Sequence, residues 1–244
     1  ATLYDYEGRY EEAVPLYREA MEIIRPTAGN TSRDYDITLM NLARALEELA
    51  YTAKTEADYN QAIEYLEEAR SLRAERLGKR HWLVTSLDVE LQDLVERKTM
   101  PADQSAILQK ADELYDESIR LDQEEQDYTT ALTKAEEALQ LVEQVHDKNH
   151  IQHAWKAQKV GDLLIAESRF EEAEPYYVGA ELVFDRVLGA NDPRYATALA
   201  DQGRLYYYLD DYERSEPLFE RALEIYTRLA NEESSKDDFG YQYG

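Results

Sequence analysis

A 42-residue period in the C-terminal half of the chain limits its fold more than any other feature. The segment Arg169–Glu224 contains one helical pattern, a loop, a second helical pattern, a tight turn and then the first pattern again. A period of this length is typical of stacked helical hairpins, in which each unit packs only against its neighbours. Five positions repeat in this way: Phe170, Ala173, Pro175, Tyr177 and Ala180 return as Tyr212, Ser215, Pro217, Phe219 and Ala222.

Small residues recur within the hairpins and predict close helix crossings. Gly161 and Gly203 hold equivalent positions on the first helix of their hairpins, where only a minimal side chain allows the second helix to approach closely. Gly and Pro are few, at 9 and 6, so the composition favours helix. We therefore predict an all-α solenoid of antiparallel helix hairpins with about ten helices. On the second helices, small residues occupy two positions: Ala13, Ala62, Ala131, Ala173 and Ser215 hold the first, and Ala20, Ala69, Ala138, Ala180 and Ala222 hold the second.

The period is regular at both ends of the chain and irregular over about residues 79–126. Ala62 and its counterpart Ala131 lie 69 residues apart, which is one period plus one extra helix. Three helices are predicted here where two would continue the alternation, and the pattern does not identify the unpaired one. We expect a repeat array over residues 1–230 and an acidic flexible tail over residues 231–244.

The repeated segments resemble tetratricopeptide (TPR) repeats, and in particular the 42-residue repeats of kinesin light chains and their bacterial relatives. The pattern Gly-Arg-Tyr-Glu-Glu-Ala-Glu-Pro-Leu-Tyr of that family is visible at Gly8–Tyr17, at Ser168–Tyr177 and at Asp211–Phe219. Its Leu-Gly loop, followed by Asp-Pro and Ala-Thr, is visible at Leu188–Thr197. The resemblance implies a right-handed superhelix whose inner groove is lined by the first helix of each hairpin, and it implies no particular activity.

The family's spacing implies that several side chains face this groove and bind a partner protein. Arg44 and Arg204 hold the same repeat position, and a guanidinium can bind a carboxylate through two hydrogen bonds. Tyr and Trp side chains are frequent anchors in protein interfaces. The alternative is that these residues only pack or solvate the groove. The groove candidates are Arg44, Glu47, Trp155, Asp162, Arg204, Tyr207 and Tyr208, and the tail candidates are Phe239, Tyr241 and Tyr243.

The chain is strongly acidic, with 52 Asp and Glu against 27 Lys and Arg and a formal net charge of −25. Phosphate binding requires clustered Lys and Arg, so nucleic acid is not expected as a partner. A protein or peptide with a basic face is expected instead, although solubility alone also explains the charge. No apolar run approaches the roughly 18 residues of a membrane span, so membrane insertion is not expected. The absence of cysteine fits either redox environment; a cytoplasmic location is slightly favoured, and N-terminal processing is left open.

The sequence contains no motif of enzyme chemistry, since it lacks a phosphate-binding glycine loop, a nucleophile elbow and an HExxH pair. His146, His150 and His153 form a cluster, but His146 is predicted to end one helix, His150 to lie in the loop and His153 to start the next helix. We therefore interpret the cluster as a plain connection rather than a metal site. We therefore predict no catalytic residue, no cofactor and no metal. The predicted function is a non-catalytic scaffold or adaptor within a hetero-complex. The alternative is a regulatory repeat domain of a larger signalling enzyme, such as a kinase or protease.

Overall fold

The computed structural model describes residues 1–30, 32–55 and 57–236, and within these ranges the chain is helical with no strand. The prediction of an all-α fold is confirmed, with eleven α-helices in the described residues. A π-helical turn, Leu121–Glu125, continues the sixth helix. The helices are α1 (Thr2–Tyr6), α2 (Tyr10–Ala28), α3 (Arg33–Thr55), α4 (Tyr59–Leu77), α5 (Trp82–Thr99), α6 (Ala102–Arg120), α7 (Tyr128–Val142), α8 (Ile151–Ala166), α9 (Phe170–Val187), α10 (Pro193–Tyr208) and α11 (Tyr212–Lys236).

The helices form two compact units, Ala1–Met100 and Pro101–Gly244. In the first unit, α1 pairs with α2 and α3 with α4. In the second unit, α6 pairs with α7, α8 with α9, and α10 with α11. Successive hairpins within a unit pack through α2 and α3, through α7 and α8, and through α9 and α10. This is the sequential hairpin order that the period predicts.

The extra helix in the irregular part of the sequence is α5. It packs against α4 inside the first unit, whereas α6 forms a hairpin with α7 inside the second. Leu87 and Leu94 of α5 are buried in the apolar core of the first unit, together with Leu66 of α4. The helix is therefore held by the same apolar burial as the hairpins, although it has no hairpin partner of its own within the described part of the unit.

Every hairpin turns through a residue in the left-handed backbone region, at one repeat position. Gly8 has a φ of 72°, and Ala57, Gln126, Ser168 and Asp210 have φ values of 60°, 55°, 62° and 58°. Glycine adopts this conformation without steric cost, whereas other residues lose roughly 1–2 kcal/mol. Four of the five turns are thus held by the packing of their two helices rather than by a glycine.

An aspartate caps the second helix of three hairpins. Asp58, Asp127 and Asp211 each follow the left-handed residue directly and accept a hydrogen bond from a backbone N–H three residues later, at 3.1 Å in each case. Such a cap satisfies one of the free N–H groups at a helix start and contributes about 1 kcal/mol. The cap and the turn together fix where the second helix begins.

The small residues lie where the sequence predicts close helix contact. A Cβ atom added at Gly161 would lie 3.0 Å from the ring of Tyr177, and one added at Gly203 would lie 3.3 Å from the ring of Phe219. Each ring belongs to the second helix of the same hairpin, so a side chain at either glycine would press on that ring. The predicted small residues of the second helices are buried, except that Ala20 is half-buried.

The last helix continues beyond the end that the pattern predicts. The sequence predicts a helix ending near Leu229 and a tail from residue 231, but α11 extends to Lys236. The tail candidates Phe239, Tyr241 and Tyr243 lie outside the described residues.

Candidate functional site

Each unit contains a network of one tyrosine, one aspartate and one arginine, which we call a triad. In the first triad, the Tyr17 hydroxyl donates a hydrogen bond to Asp5 at 2.8 Å, and Arg44 forms an ion pair with the same carboxylate. The tyrosine comes from the second helix of a hairpin, the aspartate from the first helix, and the arginine from the first helix of the next hairpin. The triad therefore links two successive hairpins.

The second triad repeats this arrangement in the second unit. The Tyr177 hydroxyl donates to Asp162 at 2.5 Å, and an Arg204 guanidinium nitrogen lies 3.6 Å from the same carboxylate. Tyr17 and Tyr177 are buried, whereas the side chains of Arg44 and Arg204 are 45% and 44% exposed. Both triads thus hold a half-exposed guanidinium over a carboxylate that a buried tyrosine fixes in place.

The second triad carries more negative charge than its arginine balances. Asp201 lies 3.1 Å from Arg204 and accepts a hydrogen bond from Gln158 at 2.9 Å. Burial, and next the charge of Asp201, raise the pKa of Asp162 to about 6, and burial also raises the pKa of Asp201. Arg204 opposes both shifts without reversing them. Both carboxylates are therefore positioned to gain from an additional positive charge.

Further charged side chains connect the first helices of the second unit. Lys156 of α8 donates to Asp112 of α6 at 2.8 Å and lies 4.6 Å from the ring centre of Tyr115. Burial, and next the charge of Asp162, raise the pKa of Tyr115 to about 12. We call the surface of α6, α8 and α10 that carries these contacts the first-helix face; it includes Asp112, Tyr115, Trp155, Lys156, Asp162, Asp201 and Arg204.

The other predicted groove residues have different environments. Glu47 forms an ion pair with Arg73 of α4 within its own hairpin, at 2.9 Å for one of two contacts, so its carboxylate is already engaged. Trp155 is half-buried beneath Arg194, whose guanidinium carbon lies 5.9 Å from its ring centre. An indole in this position offers a cation-binding face.

Two of the groove candidates are tyrosines at the end of α10, and both are exposed. Tyr207 and Tyr208 are 55% and 45% exposed, whereas Tyr206 is buried, as three successive helical residues require. Tyr208 stacks on Phe170 with ring centres 5.0 Å apart, and Tyr207 meets Tyr212 edge-on at 5.7 Å. These rings form an aromatic cluster where the α8–α9 and α10–α11 hairpins turn.

The sequence interpretation missed two aspartates that partner the predicted arginines. Asp5 pairs with Arg44 and Asp201 with Arg204, and neither aspartate lies at the repeat position of Asp162. Asp201 precedes Arg204 by three residues on the same helix, which is the spacing at which helical side chains meet. That spacing is the signal in the sequence that could have identified Asp201.

The histidines of the cluster have local structural contacts. The rings of His146 and His150 stack with their centres 3.6 Å apart, and His150 accepts a hydrogen bond from the backbone N–H of Gln152 at 3.2 Å. The ring of His153 lies 3.2 Å from the Glu143 carboxylate. His150 lies in the connection between α7 and α8 and His153 in the first turn of α8, as predicted, whereas His146 lies beyond the end of α7 at Val142.

Within the described residues, none of the helices combines the length and the apolar character that a bilayer crossing requires.

Comparison with solved structures gives likenesses of fold at low identity. A crystal structure of BtubC (BKLC) from P. vanneervenii is 23% identical with a TM-score of 0.40, and the match covers 90% of this chain and 74% of that one. The nearly identical TPR-like repeats of a Podosopora anserina protein named for kinesin light chain are 15% identical with a TM-score of 0.39, covering 93% and 92%. A single-residue variant of those repeats is 15% identical with a TM-score of 0.40, covering 94% and 92%.

Comparison of the sequence with curated proteins gives no match. Three family models, each described as tetratricopeptide repeat, match residues 1–30, 43–76 and 156–228. Together these segments span more than half of the chain and include all six residues of the two triads. Repeats of this family generally mediate protein–protein interaction, and the chain is a tetratricopeptide repeat protein.

Proposed function

We propose that this protein is a non-catalytic interaction scaffold and that the first-helix face of its second unit binds a basic segment of a partner protein. The observation that carries the proposal is the pair Asp162 and Asp201, which share one arginine and both have a raised pKa. A lysine or arginine from a partner would stabilise both carboxylates in their charged form.

Aromatic residues of the same helices support this choice of partner. Tyr207 and Tyr208 follow Arg204 by about one turn of α10 and are exposed, and Trp155 of α8 already lies beneath a guanidinium. Such rings bind both apolar side chains and guanidinium groups. The formal net charge of −25 attracts a basic partner over a longer range and raises its association rate. A hetero-complex with a basic subunit segment fits these properties.

Fluorescence anisotropy with two labelled peptides tests the proposal. One peptide repeats Gly-Arg four times, and the other repeats Gly-Glu four times. We expect binding of the Gly-Arg peptide alone, with an affinity that falls as salt is raised, because part of the attraction is between exposed charges. The Asp162→Asn/Asp201→Asn variant removes both carboxylates and is expected to bind at least about fivefold more weakly.

A control variant with the same change in net charge separates the face from the overall charge. Glu216 and Glu220 are exposed on α11, so Glu216→Gln/Glu220→Gln should bind the Gly-Arg peptide as the wild type does. Equal weakening in both double variants would mean that the peptide responds only to net charge, and the proposed face would then be wrong. Absence of binding to the wild type would also contradict the proposal.

A further inference from the structure

A cleft of about 480 Å³ opens on the second unit between α7 and α9, with α8 as its floor. Leu139, Ala157 and Leu164 supply buried apolar surface to it, and Pro175 of α9 lies at its edge. The volume lies within the range of roughly 300–1,000 Å³ that is usual for ligand sites. The cleft therefore has the size and the apolar base of a site for one or two side chains of a partner.

This cleft lies on the side of α8 away from the first-helix face. Successive residues of an α-helix are turned by about 100°. Ala157 and Leu164 therefore point away from Trp155 and Asp162, which belong to the first-helix face. A ligand in the cleft therefore contacts a different side of α8 from a partner bound to that face.

Gly179 is the residue of α9 that leaves the cleft open. It holds the repeat position at which the other four second helices carry a long charged side chain: Glu19, Glu68, Glu137 and Arg221. A Cβ atom at Gly179 would have no atom within 4 Å, so packing does not require a glycine there. Glycine inside a helix also weakens it relative to any ordinary residue. Neither helix packing nor helix stability accounts for a glycine at this position, whereas the opening of the cleft does.

The first unit shows what closes this space when the bridging residues are present. There, Arg18 of α2 forms two hydrogen bonds with Glu68 of α4, at 3.0 and 2.5 Å, and so bridges two successive second helices. Glu136 of α7 holds the repeat position of Arg18, and Gly179 holds that of Glu68. Glu136 and Gly179, both within the described residues, cannot form such a bridge across the cleft, because glycine has no side chain to pair with the carboxylate.

Glu136 has no ion-pair or hydrogen-bond partner among the residues that the structure describes, and its side chain is half-buried at the rim of the cleft. Two other carboxylates of the rim are engaged. Glu143 lies 3.2 Å from His153 and 3.5 Å from Lys148. Glu172 accepts two hydrogen bonds from Arg169, both at 2.8 Å. Glu136 is thus the rim carboxylate that remains available to a ligand.

We propose that this cleft is a second protein-binding site, which takes a short segment of a partner that carries a bulky apolar residue next to an arginine. The apolar side chain lies on Leu139, Ala157 and Leu164, and the guanidinium binds Glu136. The partner's arginine then makes the ion pair between neighbouring helices that Arg18 and Glu68 make in the first unit.

Methyl NMR titration of the whole chain with blocked dipeptides tests the proposal. Acetyl-Leu-Arg-amide is the probe, and acetyl-Leu-Gln-amide and acetyl-Gly-Arg-amide are its controls. We expect the methyl signals of Leu139, Ala157 and Leu164 to shift with a Kd of about 1 mM for Leu-Arg. Each control dipeptide should bind at least about fivefold more weakly, because one lacks the charge and the other lacks the apolar side chain.

Two variants and one control locate the binding. Gly179→Arg places a guanidinium beside Glu136 and fills the cleft, so it should weaken Leu-Arg binding about tenfold or more while far-UV circular dichroism stays that of the wild type. Glu136→Gln should weaken Leu-Arg about threefold or more and leave Leu-Gln unchanged. Thr227→Arg, an equal change in charge at an exposed position of α11 outside the cleft, should leave Leu-Arg binding unchanged.

Several outcomes would overturn the proposal. The cleft is not the site if Gly179→Arg binds Leu-Arg as tightly as the wild type, or if the methyl signals of the cleft do not move. The chemistry is wrong if Leu-Gln binds as tightly as Leu-Arg. The Asp162→Asn/Asp201→Asn variant should retain the dipeptide site, so failure here is distinguishable from failure of the function proposed for the first-helix face.

Discussion

Three glycines inside helices of the second unit provide a graded test of how tightly its hairpins pack. Replacing a glycine by alanine inside a helix stabilises it by about 0.5–1 kcal/mol when the new methyl group meets no obstacle. Gly179, Gly203 and Gly161 differ in what a Cβ atom would contact: nothing within 4 Å, the ring of Phe219 at 3.3 Å, and the ring of Tyr177 at 3.0 Å. The same substitution should therefore give three different results.

The mobility of the contacted ring sets the size of each effect. Gly179→Ala should stabilise the protein by about 0.5–1 kcal/mol, since no contact opposes the gain. Phe219 is 41% exposed and can move aside by a few tenths of an ångström, so Gly203→Ala should be close to neutral. Tyr177 is 1% exposed and is held by its hydrogen bond to Asp162 at 2.5 Å. Overpacking against such a ring costs about 1–3 kcal/mol, so Gly161→Ala should lose about 1–2 kcal/mol net.

Urea unfolding followed by far-UV circular dichroism measures the series. The expected difference between Gly179→Ala and Gly161→Ala is about 2 kcal/mol, which corresponds to a shift of about 1 M in the urea midpoint at an m-value near 2 kcal/mol/M. The three sites lie in one unit, so each serves as a control for the others. If Gly161→Ala were as stable as Gly179→Ala, the close contact with Tyr177 would not exist in solution, and the packing argument for both hairpins would be wrong.

Ala173→Trp and Ala222→Trp should each lower the midpoint of thermal unfolding, because the two alanines are 0% and 3% exposed. A larger side chain overpacks the helix crossing there by about 1–3 kcal/mol or more. Unchanged unfolding in both variants would refute the assignment of these alanines to the crossing. Ser168→Gly should stabilise the protein in the same assay by up to about 1 kcal/mol, since it relieves a left-handed φ of 62°, and a loss would show that the serine side chain stabilises the turn. The pKa of Asp162 is about 6, above the ordinary value near 3.9, so the folded state binds the additional proton. The stability that the protonated Asp162 carboxyl contributes is fully present below about pH 4 and is lost as pH rises through about 6. Asp162→Asn should therefore gain stability relative to the wild type between pH 4 and about pH 7 in urea titrations, and a pH-independent difference would contradict the raised pKa.

The period predicts which helices pair, because the two helices of a hairpin are close in sequence and pack through residues that recur with the period. Each hairpin buries its small residues against its own partner, so the spacing of Gly161 and Gly203 was enough to predict that both lie at a close helix contact. The family assignment and the all-α fold follow from the same positions. The exposure of Tyr207 and Tyr208 also follows, because Tyr206 takes the buried face of α10 and three successive residues cannot share it.

The partners of the predicted site residues depend on contacts that the period does not record. Asp5 lies three residues, or about one helical turn, beyond the repeat position of Asp162, yet both carboxylates meet a tyrosine at the same position. An alignment of the repeats does not show that an aspartate one turn away on the same helix face makes the equivalent contact. Glu47 is a groove candidate from its position alone, and its ion pair with Arg73 on a neighbouring helix does not follow from that position. The assignment of α5 as the extra helix required its contacts with α4 as well.

When hairpins stack, the same repeat position on successive first helices becomes adjacent, and this limits the charges that the position can carry. Arg44, Asp162 and Arg204 hold one repeat position, and the last two are 42 residues apart on successive first helices that pack side by side. Two like charges there would repel across a few ångströms, whereas opposite charges attract. The position can therefore alternate in sign without disturbing the alanines and glycines that set the helix spacing. In such an array the constant positions determine the fold, and the positions that depart from the period, here Asp162 on one face and Gly179 on the other, give each face its own chemistry.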